Sequence, residues 1–538
     1  MNDKVRSVRN DLQKRAEPPA RLTDLFEREP GRASRMTLSA AGLSIDFSKN
    51  LLDQKTLERL ADLASAAGLN EAIRTMFDGG TINRTEGRAV LHTALRAGPD
   101  CAASIAGERV APEIESVLTK MREFVDAVRG GRWTGYSGEH ITDVVNIGIG
   151  GSHLGPQLAC EALRYNSSAV PRPHFLANVD GGEFDRIVAP LDPESTLFIV
   201  ASKSFTTVET RLNATSARAW LAERFPQKGA VARHFVAVTA NPERAIEFGI
   251  DAGNVFPMWD WVGGRYSMWS AIGLPIALTV GMDDFQAMLA GAADMDRHFL
   301  QSPFAENLPV TLGLIGIWNN NFLGAESYAV VPYDDRLRHL PDYLQQLEME
   351  SNGKRVTLSN EVVETGTAPI TWGGLGTNAQ HAFFQLLHQG TRFVPLDFIV
   401  TMTHPSKHLQ HQDMLVAHCF AQAAGLMTGA LAVSSEEPAP QGIDQSLHKS
   451  IPGNKPSNMI TMHALTPRTL GALIALYEHK TYVQSVIWNI NAFDQWGVET
   501  GKKLATQILQ EISSSRVDAR HDASTAALLR HYIDSRRP

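Results

Sequence analysis

The sequence predicts an α/β protein built from two successive α/β units, and three observations lead to this prediction. From about residue 141 onward, short apolar runs rich in β-branched residues alternate with helical stretches. Runs that are apolar on both faces are typical of parallel strands joined by crossover helices. The pattern appears twice over similar lengths. Hydrophobic residues make up 43% of the 538 residues, which is enough to fill sizeable cores.

The predicted organisation has four parts. Amphipathic runs between residues 51 and 128 predict helices, so residues 1–120 are expected to form a helical N-terminal region packed on the larger domain. Residues 121–282 form the first predicted α/β domain, and residues 283–513 form the second. The charged last segment, residues 514–538, predicts a C-terminal helical arm.

The individual elements follow from local patterns. The predicted strands are "ITDVVNI" (141–147), "HFLANV" (174–179), "TLFIVAS" (196–202), "HFVAVTA" (234–240), "SYAVVPY" (327–333) and "PLDFIVT" (395–401). The predicted helices in this part of the chain lie at 208–225, 337–350, 379–389, 466–480 and 492–513.

Composition limits the class of partner. The formal net charge of −8 offers no basic excess to neutralise a phosphate backbone, so no nucleic-acid partner is expected. No stretch approaches about 18 uninterrupted apolar residues, and the N-terminus lacks the apolar segment of a secretory signal. The 3 cysteines are far apart and odd in number, which indicates a reducing compartment. We therefore expect a cytoplasmic protein with no membrane partner.

The glycine loop "NIGIGGSHLGP" (146–156) lies where a predicted strand runs into a helix, as phosphate-binding loops do. The dinucleotide spacing that starts at Gly148 requires a third glycine where the chain has His153. The P-loop spacing requires a lysine where the chain has Pro156. Both failures argue against NAD and nucleoside triphosphates. Asp180 is still a candidate ribose acceptor, so a nicotinamide-dependent enzyme stays open as an alternative.

Two predicted helix starts carry donors for an anion. Gly151 and Ser152 offer N–H groups and a hydroxyl at the positive end of a helix dipole. The second start is the hydroxyl loop "SKSFTT" (202–207), whose candidate ligands are Ser202, Lys203, Ser204, Thr206 and Thr207. An ordinary N-cap needs only one hydroxyl, so this excess indicates a phosphate-monoester site. A tight turn and a simple cap are the alternatives.

Several stretches together resemble the glucose-6-phosphate isomerase family. In chain order they are "TINRTEGRAVLHTALR" (81–96), the glycine and hydroxyl loops, "WVGGRYSMWSAIGLP" (261–275), "MESNGK" (349–354), "GTNAQHAFFQLLHQGT" (376–391) and "FDQWGVETGKKLA" (493–505). The resemblance implies two sugar isomerase (SIS) type αβα sandwich domains and a homodimer with sites near the interface. It also implies the glycolytic and gluconeogenic interconversion of glucose 6-phosphate and fructose 6-phosphate, with neither a metal nor another cofactor.

The family resemblance assigns the catalytic roles. It implies that Glu350 is the base that moves a proton between adjacent carbons, and local chemistry agrees, because the predicted helix ends near Asn352 with a Gly behind it. Gln346 lies one turn earlier on the same face and is expected to bind the substrate or the base. Arg265 is the candidate partner of the enediolate oxygen.

Ring opening is assigned to His381 and Lys502 by the same resemblance, which also implies that His381 crosses the dimer interface. Gln495 lies seven residues before Lys502 and is predicted to share a helix face with it as a substrate-binding residue. The histidines His404, His408, His411 and His418 have ligand-like spacing, but no carboxylate stands in a recognised ligand pattern, so no metal site is expected. The alternative function is a non-catalytic SIS-type sugar-phosphate sensor, which would not need the four catalytic candidates together.

Overall fold

The computed structural model describes residues 3–17, 21–99, 101–164, 171–226, 228–430 and 445–536. The chain divides into two compact units, Met1–Ala492 and Phe493–Pro538. Among the described helices, none combines the length and the apolar character needed to cross a membrane.

The described strands all lie in the first unit. They are β1 (Thr37–Ala40), β2 (Leu43–Asp46), β3 (Ser104–Ile105), β4 (Glu108–Arg109), β5 (Asp143–Ile147), β6 (Arg172–Leu176), β7 (Thr196–Ala201), β8 (Phe235–Thr239), β9 (Val255–Pro257), β10 (Ser327–Tyr333), β11 (Ile370–Gly373), β12 (Leu396–Thr401) and β13 (Ser457–Met462).

The described α-helices of the N-terminal part and around the first sheet are α1 (Asp3–Arg15), α2 (Leu22–Arg28), α3 (Arg32–Arg35), α4 (Gln54–Ala66), α5 (Leu69–Asp78), α6 (Ala111–Arg129), α7 (Leu154–Leu163), α8 (Gly181–Val188), α9 (Val208–Arg224), α10 (Val231–His234), α11 (Pro242–Phe248), α12 (Leu274–Val280) and α13 (Met282–Gln301). Those that follow are α14 (Leu308–Ile317), α15 (Leu340–Leu344), α16 (Gly376–Gln380), α17 (Phe384–Gln389), α18 (Leu409–Thr428), α19 (Gln445–Lys449), α20 (Pro467–Trp488), α21 (Glu499–Ser514) and α22 (Ala523–Ser535).

The first sheet, as far as the chain is described, has five parallel strands in the order β6-β5-β7-β8-β9. Every residue of β5, β7 and β8 is buried, as their apolar runs predict, so helices must cover both faces. The strand order reverses between β5 and β7. In open α/β sheets ligands bind at the carboxyl ends of the strands at such a point. The glycine loop follows β5 and the hydroxyl loop follows β7.

The second sheet has the order β1-β2-β13-β12-β10-β11 within the described residues, and β10 to β13 run parallel. The predicted fold class, α/β with parallel-rich sheets, is confirmed. The hairpin of β1 and β2 adds to β13 in antiparallel pairing, although only helices were predicted in this N-terminal part. Each hairpin strand has only four residues, which is too short for its alternation to be recognised in the sequence.

The helix predicted at 492–513 begins later than expected. In the second unit α21 starts at Glu499, after a 3₁₀ turn at Trp496–Val498 that contains Gly497. Glycine is a poor helix former, which accounts for the shorter helix. Gln495 therefore lies outside the helix, and the prediction that it shares a helix face with Lys502 is wrong.

Candidate functional site

Glu350 lies near the end of a helix whose hydrogen-bond pattern changes just before it. The base helix (residues 340–352) starts as α15, widens into a π-helical turn at Gln345–Glu350 and ends with Asn352. The predicted helix end is confirmed, but the wide turn was not predicted. Single π turns inside α-helices are rare and often mark functional sites.

The Glu350 carboxylate is held by two donors and stays accessible. Gln346 Nε2 donates to Oε2 at 3.1 Å, and Arg265 Nη1 donates to the same oxygen at 3.2 Å. The carboxylate keeps 23% of its surface exposed. Because both bonds reach Oε2, and no described donor reaches Oε1, Oε1 is the oxygen available to accept a proton from a ligand.

Arg265 is buried, at 3% exposure, and each nitrogen of its guanidinium bonds a described residue. Besides the bond to Glu350, Nε donates to Ser351 Oγ at 2.7 Å and Nη2 donates to the Ala492 carbonyl at 2.5 Å. The Tyr343 hydroxyl donates to the Arg265 carbonyl at 3.3 Å, and Tyr266 Oη lies 3.0 Å from Ser351 Oγ. A planar fork that is held in this way presents its charge in one orientation beside the carboxylate.

The glycine loop packs directly against the arginine turn (Gly264–Tyr266). A Cβ added at Gly151 would lie 2.0 Å from the Gly264 carbonyl oxygen, so no side chain fits there. Gly150 has a φ of +59°, and a Cβ there would lie 3.0 Å from Gln346 Nε2. The missing side chains thus allow the loop to approach both Arg265 and Gln346.

The hydroxyl loop forms a compact turn before α9. Ser202 Oγ accepts from the Phe205 amide at 3.1 Å and lies 3.4 Å from Thr207 Oγ1, while Ser204 Oγ and Thr206 Oγ1 are 2.6 Å apart. Phe205 has a φ of +55° and is buried in the core of the first sheet. This anchor leaves Ser204 and Thr206 exposed at the positive end of a long helix.

Lys203 links the hydroxyl loop to the segment that carries Arg265. Its ammonium donates to the carbonyls of Asp260 at 2.6 Å and Val262 at 3.1 Å. Burial, together with the nearby charge of Arg88, lowers the pKa of Lys203 to about 8. The described contacts of this ammonium are therefore backbone carbonyls, and its predicted role as a phosphate ligand stays a prediction.

The remaining candidates are His381 in the first unit and Lys502 and Gln495 in the second. His381 is exposed in the turn after α16, where its amide donates to the Asn378 carbonyl at 3.1 Å. In the second unit, Lys502 Nζ donates to Glu499 Oε1 at 2.8 Å on the surface of α21. Gln495 precedes the 3₁₀ turn of that unit.

Sequence reasoning missed three residues that support Arg265. Ser351 and Tyr266 adjoin Glu350 and Arg265 in the chain, and Tyr343 lies on α15. All three are buried hydroxyl residues. The sequence signal that could have indicated them is their position: Tyr266 lies inside "GGRYS", Ser351 lies inside "MESNGK", and Tyr343 shortly precedes that second motif.

The structure also describes the residues behind the alternative functions. Asp180 caps α8, where its carboxylate accepts from the Gly182 amide at 2.9 Å. His404 Nδ1 accepts from the Ser406 amide at 3.0 Å, and the rings of His408 and His411 are 5.4 Å apart. Within the described residues, no group of three or more His, Cys, Asp or Glu side chains is arranged to hold a metal ion.

Comparisons with known proteins place these observations in a family context. A family profile described as phosphoglucose isomerase matches residues 46–529. A glucose-6-phosphate isomerase of Hahella chejuensis is 50% identical, with 99% of this chain and 97% of that protein covered. One from Shewanella baltica is 51% identical, with 95% of each covered. A crystal structure of a glucose-6-phosphate isomerase from Chlamydia trachomatis superposes with a TM-score of 0.84 at 32% identity and covers 98% of both chains.

Proposed function

Because the chain belongs to the phosphoglucose isomerase family, we propose that it interconverts glucose 6-phosphate and fructose 6-phosphate. The observation that carries this proposal is the accessible Glu350 carboxylate paired with the buried Arg265. This pair lies beside Gln346 and the glycine loop. A base and a fixed cation are what proton transfer through an enediol requires.

In the proposed isomerisation, Glu350 Oε1 accepts the proton from C2 of the open-chain aldose. The electron pair of the broken C–H bond forms the C1–C2 double bond, and the C1 oxygen gains negative charge that Arg265 stabilises. The C1 oxygen then takes up a proton to become a hydroxyl and the C2 hydroxyl gives up its proton, so that a carbonyl forms at C2 as Glu350 returns the carbon-bound proton to C1. The bonds from Gln346 and Arg265 hold Oε2 and so orient Oε1 throughout.

Ring opening and phosphate binding complete the proposal. His381 and Lys502 act as the acid/base pair that opens the cyclic hemiacetal, and Gln495 contributes to substrate binding; these roles rest on the family resemblance. The hydroxyl loop, with Gly151 and Ser152, binds the phosphate. Binding energy from a phosphate that does not react is then available to position the reacting carbons.

Conversion without an added cofactor tests this function. The protein is incubated with fructose 6-phosphate alone, and the glucose 6-phosphate formed is measured by a coupled assay. Binding without conversion would support the sugar-phosphate sensor instead. An absorbance change that depends on NAD(P), before the coupling enzyme is added, would support a dehydrogenase.

Replacing both Ser202 and Thr207 with alanine is expected to weaken sugar-phosphate binding by at least about 10-fold, because each hydrogen bond to a charged oxygen contributes roughly 1.5–3 kcal/mol. Calorimetric titration with fructose 6-phosphate measures the change. Thr215→Ala is the matched control, since that hydroxyl lies on α9 and donates to the Arg211 carbonyl. Unchanged affinity in the double variant would show that the hydroxyl loop does not bind the phosphate.

We also propose a homodimer that forms through α18. In this helix of 20 residues Leu409, Met414 and Phe420 are all at least 44% exposed. Leu409 and Phe420 lie three helical turns apart and so share one face of α18, and an exposed apolar face is typical of a protein–protein interface. The free and buried cysteines, which are Cys101, Cys160 and Cys419, support a cytoplasmic location.

The double substitution Leu409→Glu/Phe420→Glu is expected to shift the protein from dimer to monomer, because two carboxylates would lose their hydration in an apolar interface. Sedimentation velocity at micromolar concentration measures the shift. Leu300→Glu on α13 introduces the same charge at another exposed leucine and is expected to leave the dimer intact. A dimer that survives the double substitution would place the interface elsewhere.

A further inference from the structure

The base helix is held by α20 on both sides of Glu350. Two residues before it, Glu348 Oε1 accepts from Lys480 Nζ at 2.7 Å. Two residues after it, Asn352 Nδ2 donates to the Thr481 carbonyl at 3.0 Å. Lys480 and Thr481 are consecutive residues, so one point on α20 holds both ends of the segment that contains Glu350.

The ion pair that forms the first of these contacts is buried. The side chains of Lys480 and Glu348 are only 3% and 2% exposed. The Lys480 ammonium lies 4.0 Å from the ring centroid of Tyr328 and 5.5 Å from that of Tyr477. These rings favour a cation by their quadrupoles. Burial raises the pKa of the Glu348 carboxyl, and the Lys480 charge opposes that rise.

The two tyrosines are themselves fixed from the second sheet. Both hydroxyls donate to Asp397 Oδ2, Tyr477 at 2.7 Å, and Asn458 Nδ2 donates to Oδ1 at 2.7 Å. Asp397 lies on β12 and Asn458 on β13. The position of the Lys480 ammonium is thus set by the strands of the sheet rather than by the base helix alone.

Stability alone does not account for this arrangement. A buried ion pair adds little net stability compared with an apolar pair of similar volume, but it specifies one geometry. Glu348 lies inside the π turn Gln345–Glu350. Isolated π turns are rare, so contacts from outside the helix are needed to fix where along the helix the wide turn forms. Lys480 supplies such a contact.

We propose that Lys480 is a positioning residue: its bond to Glu348, together with the Asn352–Thr481 bond, fixes the π turn that directs Glu350 towards the reacting carbon. This inference rests on the proposed role of Glu350 as the base. Loss of the ion pair lets the turn relax towards ordinary α-helical geometry and rotates the carboxylate away from Gln346 and Arg265.

The test compares three variants, Lys480→Met, Glu348→Gln and the double variant, by kcat, KM for fructose 6-phosphate and melting temperature. Lys480→Met is expected to lower kcat by about 10- to 100-fold, because a misplacement of about 1 Å costs up to about 10²-fold. Its KM stays within about 3-fold, since ground-state binding is unaffected. Glu348→Gln retains most of kcat, because its amide oxygen still accepts from Lys480.

The double variant separates positioning from stability. It removes the unpaired buried charge, so we expect the melting temperature to recover while kcat stays low. Arg32→Met, which removes another buried cation that donates to three backbone carbonyls, is the control and is expected to lower only the melting temperature. Wild-type kcat in Lys480→Met, or kcat that recovers in the double variant, would overturn the inference. An active Glu350→Gln enzyme would instead overturn the proposed function.

Discussion

Replacing Glu350 with glutamine is expected to abolish measurable isomerisation while sugar-phosphate binding survives. Glutamine has the same shape and retains an oxygen that accepts from Gln346 and Arg265, so the site keeps its form. It cannot accept the proton from carbon, and loss of a positioned base lowers the rate by about 10²- to 10⁴-fold. The measurements are kcat in the coupled assay and affinity for fructose 6-phosphate by calorimetry.

Two control substitutions test whether the loss of activity is specific to the Glu350 carboxylate. Glu326→Gln changes an exposed glutamate on the surface and is expected to leave kcat unaltered. Glu348→Gln changes the buried glutamate two residues away, which is bonded to Lys480. If Glu348→Gln lowered kcat more than Glu350→Gln, the assignment of the base would be wrong.

The buried strands at the centre of each sheet were predictable from apolar runs, and β10 spans the predicted residues 327–333. β13 was missed although it is equally central. It begins with Ser457 and Asn458, and Asn458 is buried because its amide donates to Asp397. A polar residue with a partner in the core has the same sequence signature as a loop residue, so only the folded chain distinguishes the two.

The contacts around Glu350 were only partly predictable from the sequence. The bond between Gln346 and Glu350 follows from helical spacing, since residues four apart share a face. The bond from Arg265 to Ser351 joins residues 86 positions apart and depends on how the two sheets pack. The partners of Lys203 were not predictable either. A long cationic side chain binds whichever acceptors the fold brings near it, and composition does not indicate that these are the Asp260 and Val262 carbonyls.

Replacing Arg265 with lysine is expected to lower kcat by about 10²- to 10³-fold, which corresponds to the ~2.7–4 kcal/mol lost with one oxyanion donor. The guanidinium uses separate nitrogens for Ser351, Glu350 and the Ala492 carbonyl. A lysine ammonium is a point donor that cannot satisfy all three partners. The variant therefore loses the fixed guanidinium donor beside the enediolate oxygen and one of the two bonds that orient the base.

The split between kcat and KM tests this role. A donor that acts mainly on the developing oxyanion changes kcat, whereas one that binds substrate and transition state equally changes KM alone. We expect kcat to fall with little change in KM. Arg129→Lys is the control, because Arg129 is a half-buried arginine that donates to the Leu278 and Thr279 carbonyls away from Glu350. An Arg265→Lys enzyme with normal kcat and raised KM would assign Arg265 to substrate binding instead.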